Sequence, residues 1–216
     1  MTEHGLDGAY SLEKPEDSIA YYKDWASSYD AEFAASHGYI VPKEVARAFL
    51  ASDGAGPVLD IGAGTGLVGA ALAGTCPEAL EVDAIDISAE MLAVAESKGV
   101  YRGHICADLT KPLEIRANSY AGFVSAGTFT HGHVGPVCLS ELLRIARPSA
   151  LFVLAVNGQV FDQAGFGSAF AQLVAQGAIE PMMFRHVRYY AEDAEHAHAD
   201  DMGLLAIFRK AQAAPR

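Results

Sequence analysis

Between residues 58 and 67 the chain reads Val58-Leu59-Asp60-Ile61-Gly62-Ala63-Gly64-Thr65-Gly66-Leu67: an apolar run, an acid, then glycine at every second position. A short apolar run bounded by glycines predicts a buried strand. Glycines so closely spaced predict a turn whose backbone takes φ > 0 or comes close to a ligand, without a Cβ in the way. In an open parallel sheet such a turn lies at the carboxyl ends of the strands, beside the switch point where ligands bind. The run therefore predicts an α/β sheet and places a site on it.

The flanking pattern extends this sheet. Apolar stretches at Pro57–Ile61, Ala79–Ile87, Gly103–Ala107, Tyr120–Ser125 and Ala150–Val156 alternate with helical spacing, as βαβ units do. Helices are expected at Gly66–Ala73, at Ser88–Ser97 with Ser88 as N-cap and Gly99 past its end, and at Val137–Ala146, stopped before Pro148. After a further helix at Phe166–Gln176, Met182–Ala191 and Leu204–Lys210 read as two strands in a hairpin across the acidic segment 192–201. Two helices, Ser18–Ala35 and Pro42–Ala51, precede the first strand. The fold class expected is α/β, a Rossmann-like doubly wound sheet of seven strands, mostly parallel with one antiparallel C-terminal strand. Residues 1–52 form an N-terminal helical cap or lid of the same domain, and residues 53–216 the core.

Composition narrows the partner. A chain of 216 residues with 51% hydrophobic and 19% charged residues is long and apolar enough for one self-supporting core. Its formal charge of −12, with no Lys/Arg cluster, opposes binding to a phosphate backbone, so no nucleic acid is expected. The most apolar stretch, Ala150–Val156, is strand-length and far short of the ~20 residues of a membrane span. Met1 to Tyr10 hold Glu3, His4 and Asp7 and no basic, apolar leader. Cys76, Cys106 and Cys138 have neither a disulfide-framework nor a metal-cluster spacing, which fits a reducing cytoplasm. The expected partner is a small molecule, away from any membrane.

A dinucleotide-binding fingerprint would require glycine at 67, where leucine stands. Asp60 would set a negative charge against a pyrophosphate, yet it suits an amino group. A cationic cofactor bearing an amino acid fits better. Asp86, at the end of the second strand and 20 residues after Gly66, is placed to accept both hydroxyls of a ribose. Asp108 ends the third strand, where it could take an exocyclic adenine amine or cap the turn before Thr110-Lys111-Pro112. Met91 offers an apolar surface to a base.

Taken together, Asp60 to Gly66, Ile85-Asp86-Ile87-Ser88-Ala89-Glu90-Met91-Leu92 and Ala107-Asp108-Leu109 resemble, in order and spacing, the class I S-adenosylmethionine-dependent methyltransferases of small-molecule type. The aromatic segment Tyr21 to Asp30 and the run Ser125 to His133 also resemble that family, closest to its methyltransferase-like 27 (Williams–Beuren region) type. The resemblance implies S-adenosylmethionine as cofactor and S-adenosylhomocysteine as product. It further implies that Gly62, Gly64 and Gly66 back the methionine part, Asp86 holds the ribose, Asp108 reads the adenine, and Ile87 and Met91 flank the ring, with Asp60 and Leu109 also among the cofactor-binding residues. By the same resemblance Tyr29 or Trp25 covers the methionine end, and Ser125 and Ala126 line the methyl-donor side. The chain departs from the family at Ala121, where an acid often stands, and has Ser125-Ala126-Gly127-Thr128 in place of an Asn/Asp-Pro-Pro-Tyr motif, which disfavours adenine-amine or glutamine methylation.

His131, in the loop after the fourth strand, is the candidate general base, its imidazole having an ordinary pKa of about 6.5. His133 lies in the same loop. Tyr21, Trp25 and Tyr29 recur at helical spacing, a stripe that suits core packing as well as cofactor contact. His196 and His198 read as part of a solvated acidic turn, with no metal-site spacing. The main expectation is methyl transfer to a small acceptor by in-line displacement. The rival is a non-catalytic cofactor-binding or partner-docking protein with the same fold. These motifs leave the acceptor and the oligomeric state open.

Overall fold

The computed structural model of the chain describes residues 26, 29, 30, 34, 36–75, 80–131 and 134–212. Its strands, β1 (Val58–Ile61), β2 (Val82–Asp86), β3 (Gly103–Cys106), β4 (Tyr120–Phe129), β5 (Ala146–Asn157), β6 (Met183–Arg188) and β7 (Met202–Arg209), form one seven-stranded sheet in the order β3-β2-β1-β4-β5-β7-β6. β1 pairs in parallel with β2 and with β4, β2 with β3, and β4 with β5. β7 runs antiparallel to both β5 and β6, so the expected hairpin and the single reversed strand are both present. The strand order turns back between β1 and β4, which puts the switch point above the glycine turn.

The apolar runs are continuous because both faces of the sheet are covered. All four residues of β1 are buried, as is β5 from Ala150 to Asn157. One face is covered by α1 (Val41–Ala51) and α2 (Leu67–Thr75), where Val45 and Phe49 pack with Val58, Val68 and Val153. The other face carries α4 (Leu139–Ile145), the short α5 (Gly158–Gln163) and α6 (Phe166–Ala175), over a stack of Phe123, Phe152 and Phe208 with ring centroids 4.2 and 4.7 Å apart. α3 (Ala89–Ser97) follows β2 and is capped by Ser88, whose Oγ accepts from the Met91 amide at 3.2 Å. At the amino ends of the strands, Arg102 donates to both oxygens of Asp83, and the Tyr120 hydroxyl donates to Asp83 Oδ2 at 2.7 Å, binding β2 to β4 across β1.

Several expectations change. Pro42–Ala51 is a layer helix on the sheet, its Val41, Val45, Ala46 and Phe49 wholly buried, and only its amino end approaches the site. Most of the helix expected at Ser18–Ala35 lies outside the described residues. β4 continues four residues past Ser125 to Phe129 through a register shift, with Gly127 at φ +94°. α5 was not expected; the Asn157 side chain caps it by accepting from the Gln159 amide at 2.9 Å. Among the described residues no helix is long and apolar enough to cross a membrane.

Candidate active site

A cavity opens at the carboxyl ends of β1, β2 and β4. Of the residues expected at a site, Tyr29, Gly62, Gly64, Asp86, Ile87, Met91, Asp108, Leu109 and Ala126 line it. At its floor Asp86 Oδ2 accepts from the Gly64 amide at 2.8 Å, and Oδ1 from the Ser88 amide at 2.9 Å. Each oxygen keeps a lone pair for a further donor, the arrangement a vicinal diol requires. Burial pushes the Asp86 carboxyl above its ordinary value, against the bonds from Ser88, Gly64 and Ile87 that favour the charged form.

Why residue 62 must be glycine shows only in three dimensions. A Cβ there would stand 2.0 Å from Thr128 Oγ1, and φ is +60°. The Ser125 and Thr128 hydroxyls lie 2.8 and 2.7 Å from the Ile61 carbonyl oxygen and 2.9 Å from each other, fastening the end of β4 onto the turn. Ser125 is therefore fully buried behind the wall, and Thr128 is the residue that reaches the cavity.

Gly66 and Asp60 also stand behind the wall. A Cβ at Gly66, φ +90°, would meet the Tyr101 ring at 2.8 Å. The Tyr101 hydroxyl donates to Asp60 Oδ2 at 2.6 Å and accepts from the Gly69 amide at 3.1 Å. Asp60 is fully buried and its Oδ1 has no partner. Burial pushes its carboxyl up to about 7, opposed by the Tyr101 bond and reinforced by the nearby Asp86 charge.

Asp108 lines the cavity while also capping its own turn. Its Oδ1 accepts from the Thr110 amide at 2.8 Å and the Thr110 hydroxyl at 2.6 Å, and its Oδ2 pairs with Lys111 at 2.8 Å. Burial would raise this carboxyl, but the bonds from Lys111 and Thr110 outweigh it and hold it below the ordinary value.

Trp25 and His133 lie outside the described residues. Next to Tyr29, Asp30 Oδ1 accepts from the Thr65 hydroxyl at 2.5 Å, and Asp30 Oδ2 pairs with Lys98 at 2.5 Å; Lys98 also donates to the Thr65 carbonyl. His131 is not part of the cavity lining. It sits in a loop that leaves from Thr128 and returns at Val134, both of which line the cavity. Burial lowers the His131 imidazole, Asp201 raises it, and His198 adds to the lowering.

The acidic segment 192–201 is exposed at Glu192, Asp193, Glu195 and Asp200, as a solvated turn should be, and its two histidines are half-buried. Its His198 Nδ1 lies 3.2 Å from Asp201 Oδ2, and His196 stands edge-on to Tyr190 at 4.4 Å and to His37 at 5.0 Å. Residues 38–40 run beside 189–191, joined by the Ile40 amide to Tyr189 carbonyl and Ala191 amide to Gly38 carbonyl bonds, both 2.9 Å. Tyr39 thereby reaches the cavity. Sequence reading missed Tyr39, Tyr101 and Thr128, since each owes its place to a contact across the fold.

These residues fit a cofactor with a ribose, an apolar base and a cationic amino-acid end. Asp86 is the diol acceptor, Ile87, Met91 and Leu109 give apolar walls, and the space above Gly64 is open, nothing lying within 4 Å of a Cβ built there. Among the described residues, no lysine or arginine lines the cavity.

The fold is shared with solved structures. A TehB-like S-adenosylmethionine-dependent methyltransferase from Corynebacterium glutamicum is 20% identical, with 88% of this chain and 98% of that chain covered at a TM-score of 0.60. The Haemonchus contortus phosphoethanolamine N-methyltransferase 2, in complex with phosphomonomethylethanolamine and S-adenosylhomocysteine, is 15% identical, with 91% of this chain and 59% of that chain covered at 0.62. The [4+2]-cyclase SpnF is 16% identical, with 94% and 98% covered at 0.64. At these identities the likeness speaks for the fold. No curated protein matches the chain. Residues 59–154, however, match the methyltransferase domain family. That match runs from β1 into β5 and so takes in the glycine turn, Asp86 and the cavity floor.

Proposed function

We propose that the chain moves the methyl group of S-adenosylmethionine to a small organic acceptor and releases S-adenosylhomocysteine. The observation that carries this reading is Asp86, set at the cavity floor with one backbone donor on each oxygen and room for a ribose above. In the same reading the Gly62 and Gly64 backbone backs the methionine part, and Ile87, Met91 and Leu109 enclose the adenine beside Asp108. Tyr29 and Ala126 border the methyl, and Trp25 joins Tyr29 in covering the methionine end. Asp60, Gly66 and Ser125 support the turn from behind.

When bound, S-adenosylmethionine supplies a methyl group already activated on a sulfonium, so the protein has mainly to align a nucleophile and exclude water. Tyr29 and Tyr39 border the cavity, and the segment before α1 acts as a lid whose docking Asp30 supports. A small acceptor suits a cavity flanked by aromatic rings, and the chain's charge of −12 opposes a nucleic acid. The aromatic N-terminal segment and the post-β4 run support the methyltransferase-like 27 type. The unpaired Cys106 and Cys138 suit a reducing cytoplasm.

Calorimetric titration with S-adenosylmethionine and S-adenosylhomocysteine tests this. Micromolar binding is expected, weakened about 100-fold in Asp86→Ala by the loss of two hydrogen bonds to a charged group. Absence of binding to either compound overturns the reading. A cofactor-binding protein that transfers no methyl group is the second reading, favoured by one observation: SpnF, a [4+2]-cyclase, has this fold.

A further inference from the structure

We infer that the end of the cavity walled by Tyr39, Pro42, Leu67, Val68 and Ala126 is the methyl-acceptor subsite, that it takes an acceptor with an apolar, ring-sized body, and that Tyr39 selects for that body. This rests on the methyl-transfer reading above and deepens it.

Location comes first, and the lining divides by strand. Asp86 ends β2 and Asp108 follows β3, whereas Ala126 and Gly127 belong to β4. β1 and its glycine turn lie between β2 and β4. Neighbouring strands run about 4.8 Å apart, so the Asp86 end and the β4 end of the cavity are separated by roughly 10 Å. A cofactor whose ribose rests on Asp86 and whose methionine part crosses Gly62 and Gly64 spends its length over β2 and β1. What receives the methyl group then lies over β4, where Tyr39 and Pro42 come in from the start of α1, and Leu67 and Val68 from the start of α2.

The walls at this end continue the core. Val68 belongs to the buried cluster between the sheet, α1 and α2, and Tyr29, Tyr39 and Ala126 pack against that cluster while lining the cavity. Pro42 is buried too. The hydroxyls close by are committed to the protein itself: Thr65 donates to Asp30 Oδ1 at 2.5 Å, and Thr128 lies 2.7 Å from the Ile61 carbonyl oxygen. A guest here meets carbon on most sides, so its gain comes from apolar area withdrawn from water. A guest ring gains further from edge or face contact with the tyrosines. A strongly polar body would instead surrender its water to carbon walls.

Tyr39 is the wall that sets size. Its neighbours Gly38 and Ile40 pair with Ala191 and Tyr189 through backbone bonds of 2.9 Å, which fixes where its Cα stands. Its ring packs against Tyr189 and Tyr190, at 6.3 and 6.0 Å. Its hydroxyl end stands over the bulge of β4, where a Cβ on Gly127 would lie 3.2 Å away and φ is +94°. Held at backbone, ring and tip, Tyr39 is a fixed stop and not an adaptable side chain. In the transfer itself a lone pair on the acceptor's heteroatom forms the bond to the methyl carbon, and the C–S bond breaks with its pair staying on sulfur. The proton of an O–H, N–H or S–H acceptor passes to water at the mouth of the cavity.

Two pairs of probes test this by holding the nucleophile constant and changing the body: benzenethiol against 2-mercaptoethanol, and 2-phenylethylamine against ethanolamine. Binding to the full chain with S-adenosylhomocysteine in place is followed by NMR at the methyl signals of Leu67, Val68 and Ala126, and methyl transfer from S-adenosylmethionine is followed as S-adenosylhomocysteine formed. The aromatic member of each pair is expected to shift those signals and to have a kcat/KM about tenfold higher. Tyr39→Ala is expected to raise KM for the aromatic members about tenfold, Tyr39→Phe to stay within about twofold, and Leu67→Gln to weaken the same members from the opposite wall, with S-adenosylhomocysteine affinity held within about twofold in all three. Equal use of both members of each pair, unmoved methyl signals with both aromatic probes, aromatic probes that bind and are never methylated, or a Tyr39→Ala loss that falls on S-adenosylhomocysteine each overturns the subsite. Failure of the methyl-transfer reading shows separately, as absence of S-adenosylhomocysteine binding to the wild type by calorimetry, and the aromatic probes titrated into the ligand-free chain still decide whether this end of the cavity takes an apolar body.

Discussion

At the scale of single residues, position at a strand end does not say which way an acid faces. Asp60 stands one residue before the end of β1 and Asp86 ends β2, and both were legible as site candidates from that position. Asp86 turns to the cavity because backbone amides two and twenty-two residues away hold it there. Asp60 turns inward to Tyr101, 41 residues along the chain, a pairing no local pattern announces. Its consequence is a pH dependence. An unfolded Asp60 ionises near pH 4, while the folded carboxyl keeps its proton until about 7. Between those values the folded state binds more protons than the unfolded state, so stability falls as pH rises, by up to on the order of 4 kcal/mol. Tyr101→Phe removes the bond that favours the charged form, which extends the fall above pH 7 and costs about 2 kcal/mol through two lost hydrogen bonds. Urea unfolding of both proteins from pH 5 to 8 checks the slope, and equal slopes with equal midpoints would refute the assignment.

At the scale of elements, strands and helices with a clear period were legible, and irregular pieces were not. The five central strands follow from apolar runs, but the bulge that carries β4 to Phe129 depends on Gly127 and leaves no mark in a hydrophobic pattern. That bulge brings Thr128 over the glycine turn, so β1 and β4 are interlocked at the site. Gly62→Ala would press a Cβ onto Thr128 Oγ1 at 2.0 Å and strain a φ of +60°, and a loss of about 3 kcal/mol is expected. Thr128→Ala removes the clashing Oγ1 and Cγ2 but leaves the strain. The pair Gly62→Ala/Thr128→Ala should therefore be 1–2 kcal/mol more stable than the sum of the singles predicts, roughly the coupling of residues in contact. Additive losses in a double-mutant cycle would show that the two elements do not meet as described.

At the scale of the whole molecule, alternating apolar runs sufficed for the sheet and its switch point, because parallel strands joined by helices leave few topologies open. How the segment before α1 sits on that sheet was not legible, since it turns on one acid meeting two distant elements. Asp30 joins Thr65 of the glycine turn to Lys98 past the end of α3, and the adjoining Tyr29 lines the cavity. If this junction holds the lid, breaking it changes the residence of the ligand more than the fold. Lys98 and Asp30 are 22% and 38% exposed, so water screens their pairing and its contribution is about 1 kcal/mol, a factor of roughly five. Asp30→Asn can keep the Thr65 hydrogen bond while losing the charge pair. It should release S-adenosylhomocysteine about fivefold faster, leave the association rate within about twofold because the floor around Asp86 is intact, and shift the melting temperature by only a few degrees. Salt should act in the same direction on the wild type, since screening weakens the same pair, and have less effect on the variant. Stopped-flow displacement at two ionic strengths separates these outcomes: an unchanged release rate in Asp30→Asn, or an equal salt response in both proteins, would leave the segment before α1 as a passive cover with no part in retaining the ligand.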